Sequence, residues 1–257
     1  MANESAVELV VVPCLADNYA FLIHNAASGE TALVDAPEAA PIVDALAARG
    51  WALTDILITH HHNDHIDAVD ALRGSARIIG AKADAHRLPP LDLAVEDGDA
   101  ITVCGQTTHV IDVSGHTIGH IAYHMPDAAY AFTADSLMAL GCGRLFEGTP
   151  AQMWESLQKL RALPDNTVIC SGHEYTAANA RFAVSLDPDN PDLISRNKRI
   201  AADRAVGNAT VPSTLSDEKR TNPFLRADIP EFKAVLGMSH ATDVDVFAHV
   251  RAAKDKF

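Results

Sequence analysis

The sequence predicts an α+β fold, with sheets packed face to face, helices on their outer faces and a small helical domain at the C-terminal end. Two observations carry this. Through residue 173, short β-branched or apolar runs recur: ELVVV (8–12), YAFLIH (19–24), TALVD (31–35), DILIT (55–59), RIIG (77–80), AITVCG (100–105), THVIDV (108–113), IAYHM (121–125), AYAFT (129–133) and TVICSG (167–172). Many strands with few helices between them suit packed sheets. After about residue 176 the pattern turns helical, in AANARFAVSL (177–186), DLISRNKRIAADRAVG (192–207) and TDVDVFAHVRAAKDKF (242–257), with linkers such as DPDNP (187–191) between. The domain boundary therefore falls between 1–175 and 176–257. Within the strand-rich part, helices are expected at 40–50, where Gly50 supplies the C-cap, at 66–74, and at 149–163, where Thr149 precedes Pro150 at the first helical position.

The 257 residues are 48% hydrophobic, enough for one large core, and carry a formal charge of −14. That charge disfavours nucleic acid and anionic membrane as partners, and an anionic substrate would need a local basic patch. Cys14, Cys104, Cys142 and Cys170 show no CxxC spacing, so they read as reduced, buried thiols, with Cys142 a packing residue. The N-terminal stretch lacks a basic region, and its apolar run is broken by Pro13 and Asp17. Neither a secretory signal nor a membrane span is expected, and the expected location is cytoplasmic.

The chemistry concentrates in THHHNDHID, residues 59–67, directly after a strand-like run. In an extended or tightly turning segment, side chains two apart point the same way, so His60 and His62 can hold one ion while Asp64 and His65 face a second. Four His and two Asp within eight residues are rarely assembled without a metal. So short a cluster cannot close two coordination shells, and further donors recur at later strand ends: His116, Asp135 and His173. Asp135 suits a bridge, since one carboxylate can offer an oxygen to each ion. His61 is expected to face solvent and His120 to sit behind the ligands. Asn63 and Asp67 read as turn or capping residues, and His24, His86, His109, His124, His240 and His249 as structural.

The HxHxDH pattern of His60, His62, Asp64 and His65 resembles the metallo-β-lactamase superfamily. The strings ITHHHNDH, SGHTIGHIAYH, FTADSL, GCGRLFEGT, SGHEYT, TNPFLR and RAAKDKF, spread over residues 58–257, resemble its glyoxalase II branch, the hydroxyacylglutathione hydrolases. The resemblance implies a four-layer αβ/βα sandwich at 1–175 as the catalytic domain and a glutathione-binding helical domain at 176–257. It implies two divalent ions per chain, zinc first and iron or manganese as alternatives, with His60, His62 and His116 on one, Asp64, His65 and His173 on the other, and Asp135 between. Asp64 and Asp135 are then the catalytic carboxylates.

The implied reaction is hydrolysis of S-D-lactoylglutathione to glutathione and D-lactate by a bridging hydroxide, on a monomer. The implied glutathione contacts are Arg144, Phe146, Tyr175, Arg251 and Lys254, because Arg and Lys give charge-assisted hydrogen bonds to the two carboxylates of glutathione. Where the family often carries Lys and Tyr, this chain has Arg144 and Phe146, which keeps a cation and loses a hydroxyl. The alternative is a glutathione persulfide dioxygenase of the same superfamily, which uses one iron and needs no complete second ligand set. A nuclease would want a basic surface, and a dead binding module would have lost a ligand.

Overall fold

The computed structural model describes residues 7–257. It has two compact units, one comprising the chain through Asp112 together with Ile118–Thr133, the other Val113–Thr117 together with Ala134–Phe257.

The first unit opens with β1 (Glu8–Cys14), β2 (Asn18–His24), β3 (Thr31–Val34), α1 (Ala39–Ala47), β4 (Asp55–Leu57), α2 (Asn63–Ile66), α3 (Val69–Leu72), β5 (Arg77–Ala81) and β6 (Leu93–Val95). These strands form a sheet in sequence order, antiparallel through β3 and parallel from β3 to β6. β3 and β4 are buried along their whole length, Thr31 and Asp55 included, as strands in a sheet covered on both faces are. The antiparallel meander β7 (Ala100–Val103), β8 (Gln106–Asp112), β9 (Ile121–Met125) and β10 (Tyr130–Ala134) follows. β8 alternates buried and exposed side chains, the period of a strand with one covered face. Tyr123 of β9 donates its hydroxyl to the carbonyl of Ile58 at 3.0 Å, and Phe21 of β2 meets Phe132 of β10 edge-on at 5.7 Å. On the other side of the first sheet, Ile42 and Leu46 of α1 pack with Val12, Leu22, Leu33 and Ile56.

The expected helix at 66–74 is corrected to two single turns, α2 and α3, beginning three residues earlier. The cause is a backbone tie: Ala36 donates to the carbonyl of His65 at 2.8 Å and accepts from the amide of Ala68 at 2.9 Å, which diverts the chain between them. Gly50 lies just beyond α1 with φ +67°, the left-handed geometry that ends a helix.

The second unit contains the hairpin β11 (Leu137–Met138) and β12 (Gly141–Cys142), α4 (Pro150–Arg161), β13 (Val168–Ser171), α5 (Thr176–Leu186), α6 (Pro191–Ala205), β14 (Ser213–Thr214), α7 (Leu215–Thr221), α8 (Pro230–Val235) and α9 (Asp243–Lys254). Thr149 and Gln152 cap α4 reciprocally, the side chain of each bonding the other's backbone amide. The helices bury an aromatic cluster in which Phe224 meets Phe182 at 6.2 Å and Phe247 at 6.0 Å. Short helices α7 and α8 were not expected from the sequence, because at seven and six residues they are too brief to show periodicity. Among the described residues no helix is long and apolar enough to cross a membrane.

Candidate functional site

In the first unit β4 delivers the chain into the turn that carries His60, His62, Asp64 and His65. The turn is anchored by Asp35, a buried carboxylate at the end of β3. It accepts from the amide of Thr59 at 2.9 Å, the hydroxyl of Thr59 at 2.8 Å and Nδ1–H of His65 at 2.8 Å. Since the Thr59 hydroxyl donates to Asp35, its oxygen accepts from Nδ1 of His60 at 3.0 Å. Both imidazoles thus keep a proton on Nδ1 and present the Nε2 lone pair, the tautomer a metal requires.

Within the turn the donor atoms converge. Nε2 of His60 is 3.2 Å from Nδ1 of His62, and Nε2 of His65 is 3.8 Å from Oδ2 of Asp64. Asn18 of β2 steadies Asp64, donating at 3.0 Å to its carboxylate and at 3.0 Å to its carbonyl. His120 is fully buried and stacks on the ring of His60 at 4.5 Å. The expectation for His61 is corrected: it is half-buried, its Nδ1 3.0 Å from Oδ2 of buried Asp84, which also takes Nε of Arg87 at 3.1 Å. No local pattern marks Asp84, which lies 23 residues away. Asn63 is the first residue of α2, after its N-cap His62, and Asp67 is its C-cap, its amide donating to the carbonyl of Asn63.

In the second unit His116, Asp135 and His173 are all buried, at 4, 5 and 4% exposure. Oδ2 of Asp135 lies 3.4 Å from Nε2 of His116 and 3.3 Å from Nε2 of His173, so one carboxylate oxygen stands between two imidazoles. Nδ1 of His116 donates to the carbonyl of Arg144 at 2.7 Å, again leaving Nε2 as the lone-pair nitrogen. The turn holding His116 is set by α4, whose Ser156 hydroxyl donates to the carbonyl of Ser114 at 2.7 Å. Gly143 is obligatory here: a Cβ on it would fall 2.0 Å from the carbonyl oxygen of Asp135 and 2.8 Å from Nδ1 of His116.

Of the residues expected to meet a substrate, Tyr175 stacks on His173 at 4.6 Å and Phe146 meets His116 edge-on at 5.2 Å, and both are exposed. Arg144 is exposed, with Nε 3.4 Å from Oδ1 of Asp255. Lys254 is half-buried against Phe182 and Phe257, and burial, helped by the charges of Arg251 and Arg181, pulls its ammonium below the usual lysine range. Arg251 differs from the rest: it is buried, donating to the carbonyl of Cys142 at 2.8 Å and to Asp255 at 2.9 Å and lying over Phe224. The Cys142 thiol is buried and pushed up to about 11 by desolvation, which makes it a packing group.

The donor set fits divalent ions such as zinc or iron: imidazole and carboxylate groups, oriented by buried partners, with lone pairs converging in pairs within each unit. Residues 17–173 match the metallo-β-lactamase superfamily, and residues 174–257 match the hydroxyacylglutathione hydrolase C-terminus. The chain is 62% identical to a hydroxyacylglutathione hydrolase of Cereibacter sphaeroides, over 98% of its length and 99% of the relative's, and 62% identical to one of a Jannaschia species, over 97 and 98%. Among solved structures it is similar to BLEG-1 B3 metallo-β-lactamase (TM-score 0.66, 22% identity, 85% of this chain and 99% of that one). It is also similar to ETHE1 from Myxococcus xanthus (TM-score 0.65, 23% identity, 96 and 89%).

Proposed function

The chain belongs to the hydroxyacylglutathione hydrolase family of the metallo-β-lactamase superfamily, and from that premise we propose that it hydrolyses the thioester of S-D-lactoylglutathione to glutathione and D-lactate. We assign residues 1–175 to catalysis and 176–257 to binding the glutathione half. His60, His62 and His116 would hold one ion and Asp64, His65 and His173 a second, with Asp135 serving both. The observation that carries this is the Asp135 oxygen standing between Nε2 of His116 and Nε2 of His173, two imidazoles assigned to different ions. Bound there, divalent ions supply Lewis-acid polarisation of the thioester carbonyl and lower the pKa of coordinated water from ~15.7 toward ~7.

The protein's own groups do the rest. Asp35, through Thr59 and directly, keeps the protons of His60 and His65 on Nδ1, so neither ring drifts out of donor register. Asp64 is held for its role by Asn18. The departing thiol of glutathione has a free pKa near ~8.5, so it leaves as thiolate and needs no dedicated acid. Arg144 and Lys254 receive the carboxylates of glutathione, with Tyr175 and Phe146 flanking the ligands His173 and His116. We place the reaction in the cytoplasm, a reading that the four free, buried cysteines support, and on a monomer.

Metal analysis and a thiol-release assay on one preparation test the reading. Close to two ions per chain and turnover of lactoylglutathione are expected, and Asp135→Ala loses metal and activity together. One iron per chain with oxygen consumption on a persulfide would replace hydrolysis by the dioxygenase reading.

A further inference from the structure

The hairpin β11–β12 lies in sequence between Asp135 and Arg144, and beyond its own strand pairing its backbone is held by side chains from the helical segment. Asn222 donates its amide to the carbonyls of Met138 at 3.1 Å and Gly141 at 2.9 Å, and Asn179 of α5 donates to the carbonyl of Ala139 at 3.1 Å. The amide of Leu140 donates to Oε2 of Glu218 in α7 at 2.8 Å. Arg251 of α9 donates to the carbonyl of Cys142 at 2.8 Å. Each residue from Met138 to Cys142 is thus gripped through its main chain.

The grip is built rather than incidental. Glu218 and Asn222 have no exposed surface, and Asn179 and Arg251 keep 6 and 7%. Glu218 is itself anchored by a buried ion pair with Arg196 and by the hydroxyl of Ser213 at 2.6 Å. Asn222 is oriented by accepting from the amide of Phe224 at 3.0 Å. Leu140 sits at φ +55°, a conformation that a branched residue keeps only when its surroundings over-determine it. A Cβ on Gly141 would come within 2.5 Å of the Asn179 amide, so glycine there is what lets the clamp close. Beyond the hairpin the grip continues: Arg251 also holds Asp255 at 2.9 Å, and the same Asp255 oxygen is 3.4 Å from Nε of Arg144.

We infer that Asn179, Glu218, Asn222 and Arg251 are positioning residues that clamp the 138–142 backbone and, through it and Asp255, hold Arg144 ready for a carboxylate of the leaving thiol half. This rests on the function proposed above. Arg251 then acts on Arg144 through the loop and Asp255. These four side chains contribute binding energy that they do not themselves deliver to the ligand.

The test compares Asn222→Ala, Arg144→Ala and the double variant as full-length, metal-loaded protein. Hydrogen exchange at residues 140–143 should quicken about tenfold or more in Asn222→Ala, reporting local opening of the hairpin. KM for lactoylglutathione should rise about tenfold with kcat within about twofold, as when uniform binding energy is lost. A lactoyl thioester of N-acetylcysteamine, which lacks glutathione's carboxylates, should be turned over as by the parent. In the double variant KM should match that of Arg144→Ala alone, because both changes act through one group. Multiplying effects, an equal loss on the short thioester, or unchanged exchange would overturn the inference. If Asn222→Ala does not fold, Asn179→Ala removes a single bond of the same clamp and is judged by the same outcomes. A parent enzyme inactive on lactoylglutathione would instead overturn the function, while the exchange comparison still decides the clamp.

Discussion

The donor-bearing turn at 59–65 and the three donors His116, Asp135 and His173 solve the same problem of aiming side chains in opposite ways. In the first, four donors sit in six consecutive residues, and buried carboxylates orient the turn: Asp35 holds Thr59 and His65, and Asp84 holds His61. In the second, the donors are dispersed along the chain, and backbone groups do the orienting, notably the carbonyl of Arg144 for His116 and the close approach of Gly143 to Asp135. A contiguous set needs partners that neutral or charged side chains can supply from nearby strands. A dispersed set needs the main chain itself to be placed, and so depends on glycines and on what grips the loops.

That contrast can be broken by experiment. The largest effect is expected from Gly143→Ala, since the new Cβ would fall 2.0 Å from a main-chain oxygen that cannot move without carrying Asp135 with it. The purified variant should retain about one ion per chain or fewer by elemental analysis, and a full complement would show that the backbone placement is not what matters. Next comes Asp35→Ala, which strands the amide and hydroxyl of Thr59 and Nδ1 of His65. Metal affinity measured against a chromophoric chelator should fall about 10- to 100-fold, with stability lowered by roughly 1–3 kcal/mol for the buried groups left unpaired. An Asp35→Ala protein with parental affinity would mean that the turn orients its own ligands.

Asp84→Ala should cost less, about tenfold or under in metal affinity, because it removes one partner of His61, which is not assigned as a ligand. A loss as large as that from Asp35 would make His61 a participant. The smallest effect sharpens the comparison from outside both regions. Burial, then the charge of the facing His109, lowers the His124 pKa below its usual 6.5. The unfolded chain therefore binds more protons than the folded one as pH drops from the ordinary value toward the lowered one, so stability is lost with acidification through that window. His124→Gln should flatten this part of the stability profile without changing metal content, and an unchanged profile would assign the acid sensitivity elsewhere.

The positions of most strands were legible and the seven candidate donors could be named, because both depend on residue type and short-range pattern. The runs from ELVVV to TVICSG became strands, and the capped helix after Thr149 begins where Pro150 predicts. The break at Asp67 and Ala68 was not legible, since its cause is a pair of hydrogen bonds to Ala36, about thirty residues upstream. His61 was misjudged for the same reason, as its partner Asp84 lies in a segment with no chemistry of its own. Arg251 was expected to contact glutathione; the structure buries it against the carbonyl of Cys142, 109 residues earlier, and nothing local to α9 announces that partner.

By itself, then, the sequence determined which atoms can bind metal, because that is a property of imidazole and carboxylate groups and of their spacing along a few residues. Only the tertiary structure decided how those atoms are aimed. Aiming requires buried hydrogen-bond partners, and such partners are drawn from wherever the fold brings a donor or acceptor that water no longer satisfies.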